Sequence, residues 1–367
     1  MDRYFRFIEA SVRGSACNMK CNYCYVAQRY DPDMKDVGVF KYPPEVIGKA
    51  LRKERIGGTA YVNICGEGET LLAKEVPEVI KHILLQGHFV NVYTNGTLTQ
   101  RFNEILDVVP KELLSHLSFA FSFHYLELKR LNKLEVYFEN FNKMKKAGCS
   151  VVSNMVLDDK YLPYVEEIKN VTKANIGAYP QISFPKKHND NSNWTALTDD
   201  EETLKKIGEG FHSNYLDFTE KYFDYDRKQF CYAGKWSFTL ELTTGDIARC
   251  YNYRPHQNIF ENTDSKIKLF PIGNTCSCKA CGGGLFLPQG VVPSLGAPSY
   301  IYVKNREEAN WYTPIYKQFL EQQLILNNKQ YGQLKKTLIN ALNPIVNFAG
   351  LLRAGKRRIC NRLKNGK

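Results

Sequence analysis

The sequence predicts an α/β protein: a partial (β/α)6, TIM-like barrel, followed by a smaller cysteine-rich domain and a helical C-terminal segment. In the first half of the chain, extended apolar or β-branched runs alternate with helical patterns. Such alternation favours a parallel sheet whose strands are joined by right-handed crossovers. From about residue 230 the pattern changes to short strands, glycines and clustered cysteines, and from about residue 306 it becomes helical.

Residues 1 to about 185 are expected to alternate six strands with five helices. The strands are predicted near 4–12, 59–64, 88–93, 117–123, 150–156 and 176–182. The helices are predicted near 43–55, 72–86, 99–109, 125–147 and 160–173. Pro44 is typical of a helix start, and Gly87 and Gly148 are typical of helix ends.

The second half of the chain is predicted to hold three further parts. The polar stretch PKKHNDNSNW (185–194) is expected to be a loop or linker, and a helix is expected near 199–213. SFTLELTTGDIARC (237–250) predicts a hairpin that turns around Gly245. The predicted division is a barrel core at 1–190, a linker and helix at 191–229, a cysteine-rich domain at 230–300 and a helical region with a basic tail at 301–367.

The composition is that of a globular protein, with 43% hydrophobic and 24% charged residues. The sequence contains no run of about 18 apolar residues, so no membrane-spanning helix is predicted. The N-terminal MDRYFRFIEASVRG lacks the basic start and apolar stretch of a signal peptide, so a cytoplasmic protein is expected. In a reducing cytosol, clustered cysteines bind metal or react more often than they form disulfides. Six of the eleven cysteines lie in two tight groups.

The net charge of +12 is partly a property of the C-terminus, where LLRAGKRRICNRLKNGK (351–367) contains seven Lys or Arg and no acid. This tail is either a solvated end or a contact site for anionic lipid, a phosphorylated substrate or nucleic acid. No RNA-binding module is recognisable, so nucleic acid is not expected as a partner. Peripheral membrane contact and an anionic substrate remain open as interpretations.

Three cysteines follow the first predicted strand, in SACNMKCNYCY (15–25). Cys17, Cys21 and Cys24 have the spacing C-x3-C-x2-C and lie at the edge where active sites of (β/α) folds are found. Structural zinc sites usually pair one C-x2-C unit with a second such unit. Three thiolates in one short loop favour a cubane iron–sulfur cluster in which one iron is left open for a ligand.

These cysteines resemble the signature of the radical S-adenosylmethionine superfamily, with Tyr23 at its usual aromatic position. CGEGETLL (65–72) follows the second strand and resembles the Gly-Gly-Glu motif that holds the amino group of S-adenosylmethionine. Its matching positions are Gly66, Gly68 and Glu69. A carboxylate beside a glycine-rich turn can accept hydrogen bonds from an ammonium while the backbone comes close, and a tyrosine ring can pack on adenine.

Polar residues after the next three strands extend this resemblance. YTNGTL (93–98) corresponds to a segment that often contacts the ribose or carboxylate, here through Thr94 and Asn95. Ser122 and Asn154 match positions on strands four and five that often touch the cofactor. Amide and hydroxyl groups suit such contacts, although Asn95-Gly96 alone is equally typical of an ordinary turn.

The resemblance implies a reaction and an electron donor. The reduced [4Fe-4S] cluster would pass one electron to S-adenosylmethionine bound at the open iron. Cleavage would give methionine and a 5′-deoxyadenosyl radical that removes a hydrogen atom from the substrate. An electron donor such as flavodoxin or ferredoxin is implied.

A second cysteine group lies between residues 230 and 290. Its members are Cys231, Cys250, Cys276, Cys278 and Cys281. The segment resembles the auxiliary-cluster extensions of radical enzymes, SPASM or the shorter twitch form, and Gly245 before Cys250 matches their Gly-x4-Cys landmark. The cysteine count favours one auxiliary [4Fe-4S] cluster. Cys231, Cys250, Cys278 and Cys281 are the expected ligands, with Cys276 as the spare or the substitute, and structural zinc is the competing interpretation.

Two single residues have open roles. Cys65, at the end of the second strand, is either a small buried residue or a hydrogen-atom donor of the kind that an epimerase requires. His124, after the fourth strand, either contacts substrate, acts as an acid or base, or forms a structural hydrogen bond.

The substrate is expected to be carbohydrate-like, with oxidation or epimerisation as the net reaction. The single extra cluster and the sequence after the last cysteines resemble radical enzymes of sugar and polysaccharide metabolism, and the basic tail allows a phosphorylated or lipid-linked substrate. Peptide or protein maturation is the alternative. It is disfavoured because the cluster motif begins at residue 17, which leaves no room before it for a leader-recognition domain. Nucleic-acid modification is the third hypothesis.

Overall fold

The computed structural model describes residues 4–29, 35–188, 194–222, 228–276, 278, 281, 286–322 and 325–364, with side chains described up to residue 348. Within these residues, nine strands form one sheet in the order β11-β10-β9-β1-β2-β3-β4-β5-β6, and β7 pairs with β8. The strands are β1 Arg6–Val12, β2 Ala60–Gly66, β3 Phe89–Thr94, β4 Leu117–Ser122, β5 Ser150–Val156, β6 Gln181–Ser183, β7 Lys186–His188, β8 Trp194–Ala196, β9 Ser237–Glu241, β10 Asp246–Ala248 and β11 Gln257–Asn258.

The predicted barrel of six parallel strands is confirmed: β1 to β6 pair in parallel, each with the next. The sixth strand begins later than the predicted 176–182. Ile176 still belongs to the preceding helix, which ends at Gly177 with a positive φ of 82°. Glycine adopts this left-handed conformation without a Cβ clash, so the turn separates helix from strand.

The helices are shorter than the sequence pattern suggests. They are α1 Tyr25–Arg29, α2 Pro44–Ala50, α3 Lys53–Ile56, α4 Val76–Leu84, α5 Thr99–Val108, α6 Tyr125–Arg130, α7 Leu134–Lys146, α8 Val165–Ile176, α9 Glu201–Glu209, α10 Asn214–Tyr222, α11 Tyr300–Lys304, α12 Pro314–Gln322 and α13 Gln333–Lys364. The helix predicted at 43–55 is two helices, and so is the one predicted at 125–147. The second break contains Asn132, whose φ is +52°, a conformation that an α-helix does not continue through.

The sheet extends beyond the predicted barrel. β9 pairs in parallel with β1, from Phe7 opposite Ser237 to Ser11 opposite Glu241. The predicted hairpin at Gly245 is confirmed, since β10 runs back along β9. The prediction of a loop at 185–194 is wrong at its ends, because β7 and β8 form an antiparallel pair there. Residues 189–193 of that stretch lie outside the described residues.

The segment 300–316 packs against the polar and aromatic interior of the barrel. The ring of Tyr300 lies 5.4 Å from that of Tyr61, and the Tyr316 hydroxyl donates to the Val90 carbonyl at 3.0 Å. Gln181 donates to the Asn305 carbonyl at 2.9 Å. A segment far along the chain therefore closes the interior of the six-stranded barrel. In the part of the chain that the structure describes, no helix is long and apolar enough to cross a membrane.

Candidate active site

The loop after β1 presents three thiols at the carboxyl ends of the barrel strands. Those of Cys17, Cys21 and Cys24 are all partly exposed. The backbone N–H of Lys20 donates to the Glu127 carboxylate at 2.8 Å. The Asn22 side chain donates to Asp158 at 3.1 Å. Helix α6 and the loop after β5 thus hold the cysteine loop over the mouth of the barrel.

The three thiols lie close enough to affect one another electrostatically. Burial raises the pKa of Cys17 to about 11, and the nearby Glu69 and Cys24 add to the rise. The pKa of Cys21 is raised by burial and then by Cys17, Glu127 and Cys24. Iron cations would remove this cost, because a coordinating thiol is deprotonated.

Three thiols in one loop are a donor set suited to a cubane cluster. Among the described residues, no three His, Cys, Asp or Glu side chains are placed to ligate one metal ion. In a cubane cluster each cysteine binds a different iron. The donor set therefore fits a [4Fe-4S] cluster held at three of its irons.

The glycine-rich turn after β2 lies directly against the cysteine loop. The Gly68 N–H donates to the Gly14 carbonyl at 2.8 Å, and the Glu69 N–H donates to the Ala16 carbonyl at 2.8 Å. A Cβ at Gly68 would come within 2.0 Å of the Ala16 oxygen. Only glycine permits this approach without displacing the backbone beside Cys17.

Glu69 joins this turn to the end of β3. Its carboxylate accepts from the Leu71 N–H at 3.0 Å, the Thr94 hydroxyl at 2.7 Å and the Asn95 N–H at 2.7 Å. Burial raises its pKa, and these hydrogen bonds limit the rise. Three donors leave one of about four lone-pair positions for an ammonium group. Gly66 is tied into the same turn by its N–H, which donates to the Thr70 hydroxyl at 2.8 Å.

Asn95 lies beside the cysteine loop as well as in a turn. Its amide donates to Asn18 at 2.6 Å and approaches the Cys17 sulfur at 4.0 Å. It also accepts from the Thr97 N–H at 3.1 Å, and Gly96 has a φ of +78°. The ordinary-turn interpretation and the site interpretation of this segment are therefore compatible.

Tyr23 and His124 form a buried hydrogen-bonded pair. The Tyr23 hydroxyl lies 2.8 Å from His124 Nδ1 and 3.0 Å from the Tyr161 hydroxyl. Burial lowers the pKa of His124 to about 4, so the imidazole is neutral at neutral pH. The structure shows the structural hydrogen bond that was one of the alternatives for His124.

Ser122 and Asn154 are neighbours at the carboxyl ends of β4 and β5. The side-chain Oδ1 of Asn154 accepts a hydrogen bond from the Lys304 ammonium at 2.9 Å. Its buried Nδ2 has no hydrogen-bond partner among the described residues. An unsatisfied buried donor is costly, and a ligand with acceptor oxygens would satisfy it.

The structure adds Glu9 to the candidate site, which the sequence analysis had missed. Its carboxylate accepts from the Cys65 thiol at 3.1 Å and from Asn63 at 3.0 Å. Burial raises the pKa of Glu9 to about 7. Burial and the adjacent Glu9 raise the pKa of the Cys65 thiol well above its usual value. The only signal for Glu9 in the sequence is an acidic residue inside a predicted strand. A strand with one polar face would explain that residue equally well.

Lys304 is the second missed residue, and it lies in no recognisable motif. It is buried, with only 1% of its surface exposed, and its ammonium lies 3.3 Å from the centre of the Tyr215 ring. Burial lowers its pKa to about 7, and nearby Lys186 adds to the effect. Its partners among the described residues are the Tyr215 ring and the Asn154 side chain, and both are uncharged.

The second cysteine group lies at the opposite end of the sheet. Cys231 precedes β9, and Cys250 follows β10, which runs antiparallel to it. Burial raises the pKa of Cys250, and Cys281, Cys231 and Cys276 add to the rise. Cys278 lies against Tyr251, whose hydroxyl is 3.6 Å from its sulfur. All five predicted thiols are brought together, a donor set that is sufficient for one four-iron cluster.

Aromatic contacts connect this second group with the base of the barrel interior. The Phe286 ring lies 5.1 Å from that of Phe7 and 5.6 Å from that of Tyr251. At roughly 3.3 Å per residue, β1 advances about 17 Å from Phe7 to Val12. Glu9 and Cys65 therefore lie between the two cysteine groups.

Comparison with known proteins agrees with this geometry. The family model described as Radical SAM superfamily matches residues 11–168, and no curated protein matches the chain. Streptococcus suis SuiB bound to S-adenosylmethionine is similar with a TM-score of 0.50 and 16% identity, over 84% of this chain and 78% of that chain. Another SuiB structure matches with a TM-score of 0.48 and 14% identity, over 71% of this chain but only 64% of that chain, less than two thirds of its length.

Two further solved structures are also similar. Native anSMEcpe with bound AdoMet has a TM-score of 0.48 and 15% identity, over 86% of this chain and 96% of that chain. BtrN in complex with AdoMet and 2-DOIA has a TM-score of 0.35 and 14% identity, over 90% of this chain and 98% of that chain. At these identities the likeness concerns the fold alone.

Proposed function

Because this chain contains a radical S-adenosylmethionine domain, we propose that it is an enzyme that epimerises a carbohydrate-type substrate at a carbon bearing a hydroxyl group. The observation that supports inversion is the hydrogen-bonded pair of Cys65 and Glu9 in the barrel interior. The cysteine loop and the glycine-rich turn lie at the mouth of the same barrel.

The residues at the mouth would hold the cofactors. Cys17, Cys21 and Cys24 would ligate the cluster, and the S-adenosylmethionine contacts would come from Tyr23, Gly66, Gly68, Glu69, Thr94, Asn95, Ser122 and Asn154. When bound and reduced by a donor such as flavodoxin or ferredoxin, these groups supply a carbon-centred radical that removes a hydrogen atom from the substrate. The protein positions the substrate and keeps water from the reacting carbon.

Cys65 would return a hydrogen atom to the opposite face of that carbon. Its raised pKa keeps the sulfur protonated at neutral pH, and only the S–H form can donate a hydrogen atom. The transfer breaks the S–H bond, forms the new C–H bond and leaves a sulfur radical. One electron from the reductant and one proton from Glu9, whose pKa of about 7 suits proton exchange, would restore the thiol.

The interior suits a hydroxylated substrate with an anionic group. Asn91 donates to Asn63 at 2.7 Å, and Asn63 donates to Glu9, so amides and a carboxylate line the wall. Lys304, whose ammonium donates to the Asn154 side chain, supplies a cationic group near the mouth. A carboxylate or phosphate on the substrate would pair with this ammonium and raise the lysine's pKa.

Oxidation is the second candidate reaction, and the second cysteine group is the observation that favours it. An auxiliary cluster on those cysteines would supply an electron acceptor at the far end of the interior. In this reaction Glu9 would accept the hydroxyl proton as the substrate becomes a carbonyl compound, and Cys65 would take no part.

Turnover in D2O distinguishes these reactions. Anaerobically reconstituted enzyme, reductant and S-adenosylmethionine would be supplied with a panel of phosphorylated and nucleotide-linked sugars and aminocyclitols. Epimerisation predicts an inverted product with one solvent deuterium on the reacting carbon. The variant C65S should lose inversion but still form 5′-deoxyadenosine, whereas the control C149S should behave as the wild type.

Each other outcome has a defined meaning. A carbonyl product without deuterium, formed equally well by C65S, would replace epimerisation with oxidation. Turnover of a peptide instead of any sugar would make the protein a maturase. If no substrate of either class leads to 5′-deoxyadenosine, the proposed function fails.

A further inference from the structure

The C-terminal helix α13 docks on the rest of the protein through polar side chains and through one buried apolar residue, Ile339. Arg249 donates to Asn343 at 2.7 Å and also to Asn347. Asn340 accepts from the Asn274 N–H at 2.9 Å and donates to the Asn274 side chain at 2.6 Å. Three asparagines on one face therefore form the attachment, and Asn343 is fully buried.

The opposite face of α13 is apolar and open to solvent. Its exposed side chains are Leu334 (90%), Leu338 (59%), Leu342 (38%), Ile345 (66%) and Phe348 (63%). Spacings of four, four, three and three residues place these five side chains along one stripe of an α-helix. We call these five side chains the α13 stripe.

This arrangement is the reverse of an ordinary surface helix. Such a helix turns its apolar stripe toward the core and its polar residues toward water. A contiguous exposed apolar patch on a folded protein usually marks a site of interaction. The asparagine attachment fixes α13 with the stripe facing outward, so the exposure does not result from a helix that has failed to dock.

The charge around the stripe indicates which partner covers it. From residue 333 to the C-terminus the sequence contains nine Lys or Arg and no Asp or Glu. A second copy seated on this stripe would bring two such cationic segments together, which is electrostatically unfavourable. An anionic lipid surface would accept the apolar stripe at its boundary and attract the cationic residues.

We propose that α13 is a membrane-surface helix that lies in the plane of an anionic bilayer with the α13 stripe buried among the lipid headgroups and upper acyl chains. From Leu334 to Phe348 the stripe spans roughly 21 Å at 1.5 Å per residue, so the contact is extended along the surface. This inference does not depend on the proposed reaction, since it concerns a face remote from Cys65 and Glu9.

Vesicle co-sedimentation of the full, reconstituted chain tests the proposal. The wild type should bind vesicles of mixed phosphatidylcholine and phosphatidylglycerol and should bind phosphatidylcholine alone much less. The triple variant L338N/I345N/F348N should bind the mixed vesicles at least about tenfold more weakly.

The control V39N replaces another exposed apolar side chain, 79% exposed, and should bind as the wild type. Because all four side chains are exposed, thermal midpoint and iron content should not change.

Two results would overturn the proposal. The first is a triple variant that binds the mixed vesicles as tightly as the wild type. If deletion of residues 351–367 then abolishes binding, the basic tail and not the α13 stripe binds the membrane. The second is a wild type that does not bind vesicles but sediments as a dimer in buffer while the triple variant is a monomer. That pattern would assign the α13 stripe to self-association.

Discussion

The two cysteine groups lie at opposite ends of β1 but are built differently. At the mouth, Cys17, Cys21 and Cys24 share one irregular loop, and every thiol is partly exposed. At the base, Cys231, Cys250 and Cys281 are buried, whereas Cys276 and Cys278 are partly exposed. The backbone there is anchored by the β9–β10 hairpin and by paired hydrogen bonds between Cys231 and Gly273. The first arrangement leaves room for a ligand, whereas the second is more buried and has more thiols.

The difference assigns separate tasks to the two ends. The open group at the mouth adjoins the turn of Gly68 and Glu69, where S-adenosylmethionine would bind. The group at the base is connected to the barrel interior through Phe286 and Phe7. Glu9 and Cys65, to which we assign the proposed reaction, lie between the two groups. Variants at either end should therefore have distinct effects.

The largest effect is expected from the mouth. Replacing Cys17, Cys21 or Cys24 with alanine should reduce 5′-deoxyadenosine formation to background, because a missing ligand leaves the cluster incomplete. High-performance liquid chromatography of anaerobic reactions measures this directly. C149A, which removes a buried thiol far from both groups, should retain activity, and equal loss in C149A would show general damage instead.

A variant at the base sharpens the comparison. C250A should lose the auxiliary irons while S-adenosylmethionine cleavage continues within about twofold of the wild type, since distant independent sites influence each other little. Parallel iron analysis and 5′-deoxyadenosine assays on one preparation are sufficient. Complete loss of cleavage in C250A would mean that the two ends are not independent.

Gly68→Ala should have an intermediate effect on the mouth alone. The added Cβ meets the Ala16 carbonyl oxygen, and the displaced backbone should weaken S-adenosylmethionine binding roughly tenfold to a hundredfold, corresponding to about 1–3 kcal/mol of strain. Calorimetric titration measures the change. Gly332→Ala is the matched control, because nothing lies within 4 Å of its added Cβ.

The last prediction concerns the pH dependence of stability and not S-adenosylmethionine cleavage. The pKa of Glu9 is raised from 4.5 to about 7 in the folded protein, so the folded state binds this proton more tightly than the unfolded state. Stability should therefore fall as pH rises from about 4.5 to 7, by up to about 3 kcal/mol. E9Q should remove this loss. The difference in stability between E9Q and the wild type should therefore favour E9Q more at pH 8 than at pH 5. Thermal midpoints of wild type, E9Q and the surface control E135Q measure it, and parallel curves for wild type and E9Q would contradict the assignment.

Local patterns predicted the elements at the mouth because each depends on a short stretch of sequence. The strand before Cys17 and the turns at Gly68 and Gly96 are each indicated by residues that are adjacent in the sequence. The hairpin at Gly245 was predictable for the same reason, since glycine accepts its φ of +84°.

Long-range pairing explains what the sequence did not reveal. β9 joins β1 across more than 220 residues of chain, and Lys304 reaches Asn154 from a segment 150 residues further along. Nothing local to Lys304 distinguishes it from a lysine on a solvated helix. Glu9 likewise resembles any polar strand residue until its burial against Cys65 is seen. The exposed face of α13 depends on which side docks, and Arg249 decides that.

The central claim is that the two cysteine groups hold separate clusters on either side of the reacting pair. Iron, zinc and sulfide analysis of anaerobically reconstituted wild type, the C17A/C21A/C24A variant and the C231A/C250A variant tests it most directly. We expect about eight irons in the wild type and about four in each variant, with no zinc. About four irons and one zinc in the wild type, with the iron lost only from the first variant and the zinc only from the second, would contradict it.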